Sequence, residues 1–287
     1  ATQLESPFIR DAQNPLQFFN TQEFKLRYRF RKEVVLDVLL PLVNQCLTKQ
    51  NKRGLPIPPV MQLLTCLRFY ATSNFQLVSV DWRGISQSTI SNIIKTVSTL
   101  IAQRLGEFIH FPNTEEGFRS NFRRFYEITA HILKIGNPGG DNGEVFRNRK
   151  GFFSLNVQVV SGPKREIYDI VVRHPGSSYD SLIFDRSAVR VRMERGDIPG
   201  LLLGDNGYPC RHYLLTPVLQ LGTEAAVRYN TAHIRTRNVV ERLFGTWKRH
   251  FPCLQRGLLT KLETSLAIIC ATAVLYNIGK MKLKKTT

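Results

Sequence analysis

Three carboxylates stand where they could act on a phosphate ester. Asp205 follows the apolar run Leu201-Leu202-Leu203-Gly204 and precedes Asn206-Gly207-Tyr208. That places it at the carboxyl end of a predicted strand, where α/β sheets build their sites. Gly-Asp-Asn-Gly is also good turn chemistry, in which the Asp binds only its own backbone. Glu241 lies in a predicted helix with an apolar stripe of Val240, Leu243, Phe244 and Trp247. At roughly 100° per residue it sits on the edge of that stripe, able to face a sheet. Gly245 leaves space beside it, while Arg237, four residues earlier, offers a plain surface ion pair instead. Asp180 follows Pro175-Gly176-Ser177-Ser178-Tyr179 and precedes Ser181-Leu182-Ile183-Phe184, so it reads either as a site acid or as a helix N-cap. Carboxylates from a strand end, a loop after a second strand and an apposed helix can hold hard divalent cations by oxygen. Two such ions about 3.5 to 4 Å apart clamp the attacking and leaving oxygens of a phosphodiester displacement.

The elements that position them divide the chain in two. Residues 23 to 111 carry apolar side chains at helical steps, with Val34, Val35, Val38, Leu39 and Leu42 in one segment and Leu63, Leu64, Leu67 and Tyr70 in another. Pro58 and Pro59 suit the start of the second helix. Gly84-Ile85-Ser86-Gln87-Ser88-Thr89 leads into Ile90, Ile93, Ile94, Val97, Leu100 and Ile101 at the same period, with Ser86 or Ser88 as the N-cap. Over about 60 to 101 this is the layout of a helix-turn-helix. Ser88, Thr89, Asn92 and Lys95 are then the candidate nucleic-acid contacts, and an ordinary helical hairpin fits the spacing as well.

From Phe146 the pattern changes to short apolar runs at Phe152–Val160, Ile167–Val172 and Leu201–Leu203, read as strands, with Gly162-Pro163 as a hairpin connection. Val239–Phe251 and Leu262–Ile278 read as helices. The fold class is therefore α/β: an N-terminal helical region, 1–111, followed by a domain, 112–287, with a mixed sheet, Leu201–Leu203 as a central strand, and flanking helices.

Composition narrows the partners. The 287 residues carry 40 Lys and Arg against 22 Asp and Glu, a formal charge of +18, which points to a polyanion such as DNA. The apolar run Leu266–Ile278 is short of the ~20 residues of a membrane span, so none is expected. Five widely spaced cysteines without a Cys-x-x-Cys pair argue against a disulfide scaffold or zinc ribbon and fit a reducing compartment. The first residues have neither Met nor a signal-peptide layout, so a processed or partial chain is expected. The tail Lys280, Lys282, Lys284 and Lys285 reads as solvated and as a possible aid to nuclear import.

Several blocks in one order resemble the PIF/Harbinger superfamily of transposases and the nuclease domesticated from them: Phe69–Gln76, Gly84–Thr89, Arg147–Gly151, Phe153–Asn156, Pro175–Ser181, Leu203–Tyr208 and Val240–Gly245. The resemblance implies a helix-turn-helix region joined to an RNase H-like catalytic domain with an Asp-Asp-Glu centre. It implies a divalent metal, Mg or Mn, and DNA cleavage in the nucleus with the help of a Myb-like partner. Carried over, Asp205 matches the second catalytic Asp, Glu241 the catalytic Glu, and Asp180 a further acidic position of the metal site. The first Asp of the family precedes a Gly- or Cys-Thr-His-Ile sequence; here Phe125-Tyr126-Glu127-Ile128-Thr129 runs into Ala130-His131-Ile132, and the matching position holds Ile128. About a dozen preceding residues of the family pattern are missing, so a truncated first strand is expected. Glu127, projecting from the opposite face of an extended chain, is expected to be a poor substitute. The resulting expectation is severely reduced cleavage, or a non-catalytic DNA-binding or partner-binding protein.

Overall fold

The computed structural model describes residues 14–48, 57–75, 77–78, 85–112, 125–140 and 143–283. The turn around Gly84 and the tail residues Lys284 and Lys285 lie outside them. Two compact units emerge: one joins Ala1–Leu105 to Lys248–Gly279, the other joins Gly106–Trp247 to Lys280–Thr287.

The first unit is helical. In chain order it holds α1 (Pro15–Phe18), α2 (Thr21–Tyr28), α3 (Lys32–Val34), a π-helical turn over Val35–Leu39, α4 (Leu40–Leu47), α5 (Pro59–Thr72) and α6 (Gln87–Gln103). A capping box of Asn20 and Glu23 starts α2, Pro59 opens α5, and Ser86 caps α6 by accepting the Thr89 backbone N–H at 3.2 Å. The apolar stripe of α6 is buried, and inside it the Ser98 hydroxyl pairs with Tyr70 of α5 at 2.7 Å. α4, α5 and α6 follow the periodicity read from the sequence; α1 and the π-helical geometry of Val35–Leu39 are not part of it.

The second unit begins at Gly106, just after the first residue of α7 (Leu105–Phe108), and contains a five-stranded mixed sheet. Its strands are β1 (Tyr126–Lys134), β2 (Ser154–Ser161), β3 (Ile167–Pro175), β4 (Leu202–Leu203) and β5 (Leu214–Leu215). They lie in the order β3-β2-β1-β4-β5. β1 pairs antiparallel with β2 and parallel with β4, with Glu127 opposite Leu203. The β2–β3 pair is the expected hairpin, closed by the Gly162 N–H on Glu166 O at 2.9 Å. Between β3 and β4 come α8 (Asp180–Asp185) and α9 (Ala188–Glu194); α10 (Glu224–His250) follows β5.

Three expectations are corrected. Tyr126–Lys134 is a nine-residue strand at the centre of the sheet, and Leu202–Leu203 is a short strand beside it rather than the central one; residues 113–124, where the truncation is expected, lie outside the described residues. Eight successive pairs with β2 hold β1 in register, which a mixed polar and apolar run did not advertise. The helix expected from Val239 begins at Glu224, because its first half is largely solvated and shows no apolar stripe. Finally, Lys248–Gly279 belongs with the N-terminal helices rather than with residues 112–247. There α11 (Cys253–Arg256) and α12 (Leu262–Leu283) follow, the Arg256 guanidinium donates to Thr72 O at 2.8 Å, and Phe251 packs on Phe30 and Tyr70. By length and composition α12 is long and apolar enough to cross a membrane, more than the Leu266–Ile278 run indicated, but most of it is buried inside the protein. A helix apolar all round needs cover on most of its circumference, and α12 finds it as a core helix.

Candidate functional site

The sheet has two working faces at its β1–β4 junction. On one, Ile128 is fully buried in a cluster with Tyr126, Val160, Phe184, Leu202 and Tyr208. On the other, Glu127 points at α10: its Oε2 accepts the Val240 backbone N–H at 2.8 Å, and only 2% of the residue is exposed. Four residues along the same face, His131 stacks on Phe244 of α10 with ring centroids 4.8 Å apart. Burial pushes the Glu127 carboxyl up to about 7, countered by the Val240 N–H and the Arg237 charge and reinforced by Glu241. The alternation of a strand thus sends Glu127 away from Ile128, as the sequence implies, but onto the face that carries Glu241.

Asp205 follows β4 and accepts the Gly207 N–H on Oδ1 at 2.9 Å, the local turn contact its sequence allows. Asp180 is the first residue of α8 and does not cap it; its Oδ1 instead accepts from the amide of Asn156, a buried β2 residue, at 2.8 Å. The two aspartates converge on Gly207. A Cβ there would stand 2.9 Å from Asp205 Oδ1 and 3.3 Å from Asp180 Oδ2, so glycine is what leaves room for both carboxylates. Burial raises the Asp180 carboxyl, the Asn156 amide opposes this, and the neighbouring Asp205 adds to it. Burial first, then Asp180 and Asp205, hold the Tyr208 hydroxyl well above its ordinary value.

Glu241 does not join this pair. Its side chain is 66% exposed, and the cation beside it is Arg237. Arg237, one turn earlier on α10 and 19% exposed, lies 3.6 Å from Asp205 Oδ2 and 4.0 Å from Glu241 Oε1. The sequence presents Arg237 as a surface partner of Glu241 alone; the fold sets it between Asp205 and Glu241. Among the described residues no three His, Cys, Asp or Glu side chains are grouped so as to hold a metal ion. The donor set among the described residues therefore does not fit a three-carboxylate metal centre: Asp180 and Asp205 meet without a third acid, and Glu241 is turned to an arginine.

Of the candidate nucleic-acid contacts, Ser88, Asn92 and Lys95 are exposed on α6, Thr89 is half-buried, and Lys95 approaches Glu263 only to 4.0 Å. Sequence reasoning passed over Asn156 and undervalued Glu127 and Arg237. A polar residue inside the apolar run Phe152–Val160 was the available signal for Asn156.

Comparison with known proteins places these residues in a lineage. The DDE superfamily endonuclease family matches residues 131–277, a stretch that contains Asp180, Asp205 and Glu241 and begins three residues after Ile128. The mouse (Mus musculus) protein named "Putative nuclease HARBI1" is 33% identical over 266 residues, 88% of this chain and 76% of that protein. Its human (Homo sapiens) counterpart is 31% identical over 267 residues, with the same coverage. "Protein ALP1-like" of Arabidopsis thaliana is 22% identical over 190 residues, 58% of this chain and 47% of that protein. No solved structure matches. The chain belongs to the DDE superfamily of Harbinger transposase-derived nucleases.

Proposed function

We propose that this chain is a DNA-binding protein with the RNase H-like architecture of a divalent-metal-dependent endonuclease and with severely reduced phosphodiester cleavage. One observation supports the reading: Ile128, which the resemblance aligns with the family's first Asp, is sealed in the apolar cluster, so on this alignment that position brings no carboxylate to Asp180 and Asp205. In an intact centre Asp205 and Glu241, with Asp180, would hold Mg or Mn, which activates water and neutralises the leaving oxygen. Here Arg237 is the nearest cation to Asp205 and Glu241. The charge of +18 supports DNA as the partner, through Lys and Arg contacts to phosphates. The exposed Ser88, Asn92 and Lys95 on α6, with Thr89, are the proposed contacts of a helix-turn-helix. A nuclear location and a Myb-like helper complete the proposal by analogy with the family.

The test is nicking of supercoiled plasmid in Mg²⁺ or Mn²⁺, alongside DNA binding at increasing salt. Cleavage at background with affinity falling steeply as salt rises is the expected result. Strong metal-dependent nicking that Asp205→Asn abolishes would refute the loss of activity, and salt-independent binding would refute the phosphate-driven contact.

A further inference from the structure

We propose that Arg237 is a built-in cation for the carboxylates at the β4–α10 junction, occupying the place of a bound divalent ion and excluding one. The guanidinium is anchored by α10, mostly buried, and faces Asp205 at 3.6 Å and Glu241 at 4.0 Å, two acids brought together from different elements. Glu127, buried on β1, feels the same charge and presents its carboxylate to the same helix. The Arg237 Nε is buried and makes no hydrogen bond, so the group is held there by charge rather than by a full set of donor contacts. A planar guanidinium that never deprotonates can bridge two carboxylates at once. A hard cation needs the same oxygens, and with Arg237 in place it would meet a fixed like charge. The chain therefore has no need of metal to hold its acidic junction together, in contrast to a three-carboxylate centre.

The exchange of cations concerns the carboxylates alone and is measured without DNA, so its failure is distinct from failure of the DNA-binding proposal. Mn²⁺ is titrated into the full chain, free Mn²⁺ is followed by electron paramagnetic resonance, and melting temperatures are recorded with Mn²⁺ and with chelator. Wild type is expected to bind Mn²⁺ negligibly and to melt at the same temperature in both. Arg237→Gln is expected to bind Mn²⁺ at least about tenfold more tightly. Its melting temperature should fall by about 2 to 4 °C in chelator and recover with Mn²⁺. Arg237→Lys, which keeps the charge, should also bind Mn²⁺ negligibly, and adding Asp205→Asn to Arg237→Gln should remove the new binding. A folded Arg237→Gln protein that binds no Mn²⁺ overturns the proposal. So does wild type binding one Mn²⁺ in a manner lost with Asp205→Asn, a measurement that stands even if Arg237→Gln does not fold.

Discussion

Placing an acid on β1 by Ile128→Asp, as the resemblance to the family's first Asp suggests, is expected to damage the protein before it repairs anything. Ile128 is fully buried among Tyr126, Val160, Phe184 and Tyr208. Removing that side chain from its apolar surroundings forfeits about 2 to 3 kcal/mol of transfer free energy. The introduced carboxyl adds roughly 1 to 3 kcal/mol even when it enters neutral, because its polar atoms leave water for a mostly apolar cluster. The sum, about 3 to 6 kcal/mol, is a large share of the ~5 to 15 kcal/mol that holds an ordinary domain folded. Ile128→Val, which removes one methyl-sized unit, should cost only about 1 kcal/mol. Urea unfolding followed by tryptophan fluorescence measures both. The pH dependence has a definite sign: an acid placed in apolar surroundings has a raised folded pKa, so stability is best below the unfolded carboxyl range and falls as pH rises through the folded value. The deficit of Ile128→Asp should therefore be smaller at pH 5 than at pH 8. An Ile128→Asp protein as stable as Ile128→Val, with metal-dependent nicking fully recovered, would show that position 128 faces a working site and would sink the reasoning.

Glu127 supplies a second pH effect. Its folded pKa of about 7 lies above the ordinary 4.5, so stability present below about 4.5 is lost as pH rises through about 7, by at most about 3 kcal/mol. Glu127→Gln, which can still accept the Val240 N–H, should flatten that decline; equal pH slopes in the two proteins would place the titration elsewhere. The cysteines offer a check on packing. All five are free, Cys46 and Cys210 are exposed, and burial pushes the Cys66 thiol up to about 12 and raises Cys253 as well. A thiol reagent at neutral pH should label Cys46 and Cys210 quickly and leave Cys66 and Cys253 untouched until denaturant is added, and prompt labelling of Cys66 would contradict the α5–α6 packing.

The sequence by itself determined the helices of the first unit, the β2–β3 hairpin and the turn that carries Asp205, because each follows from local periodicity, caps and turn residues. The Ser86 cap, the Pro59 start and the buried stripe of α6 are all local facts. Tertiary structure decided the rest. Tyr126–Lys134 becomes the central strand through pairing on both sides, which no property of the nine residues announces. Lys248–Gly279 joins the helical unit with Ala1–Leu105, far away in the chain, because an apolar helix such as α12 needs cover that its own spacing does not name. The fates of the carboxylates were likewise non-local. Asp180 meets Asp205 across Gly207, Glu127 meets the backbone of α10, and Arg237 reaches Asp205 as well as Glu241, each contact joining residues whose distance in space is set by the sheet and not by their spacing in the chain.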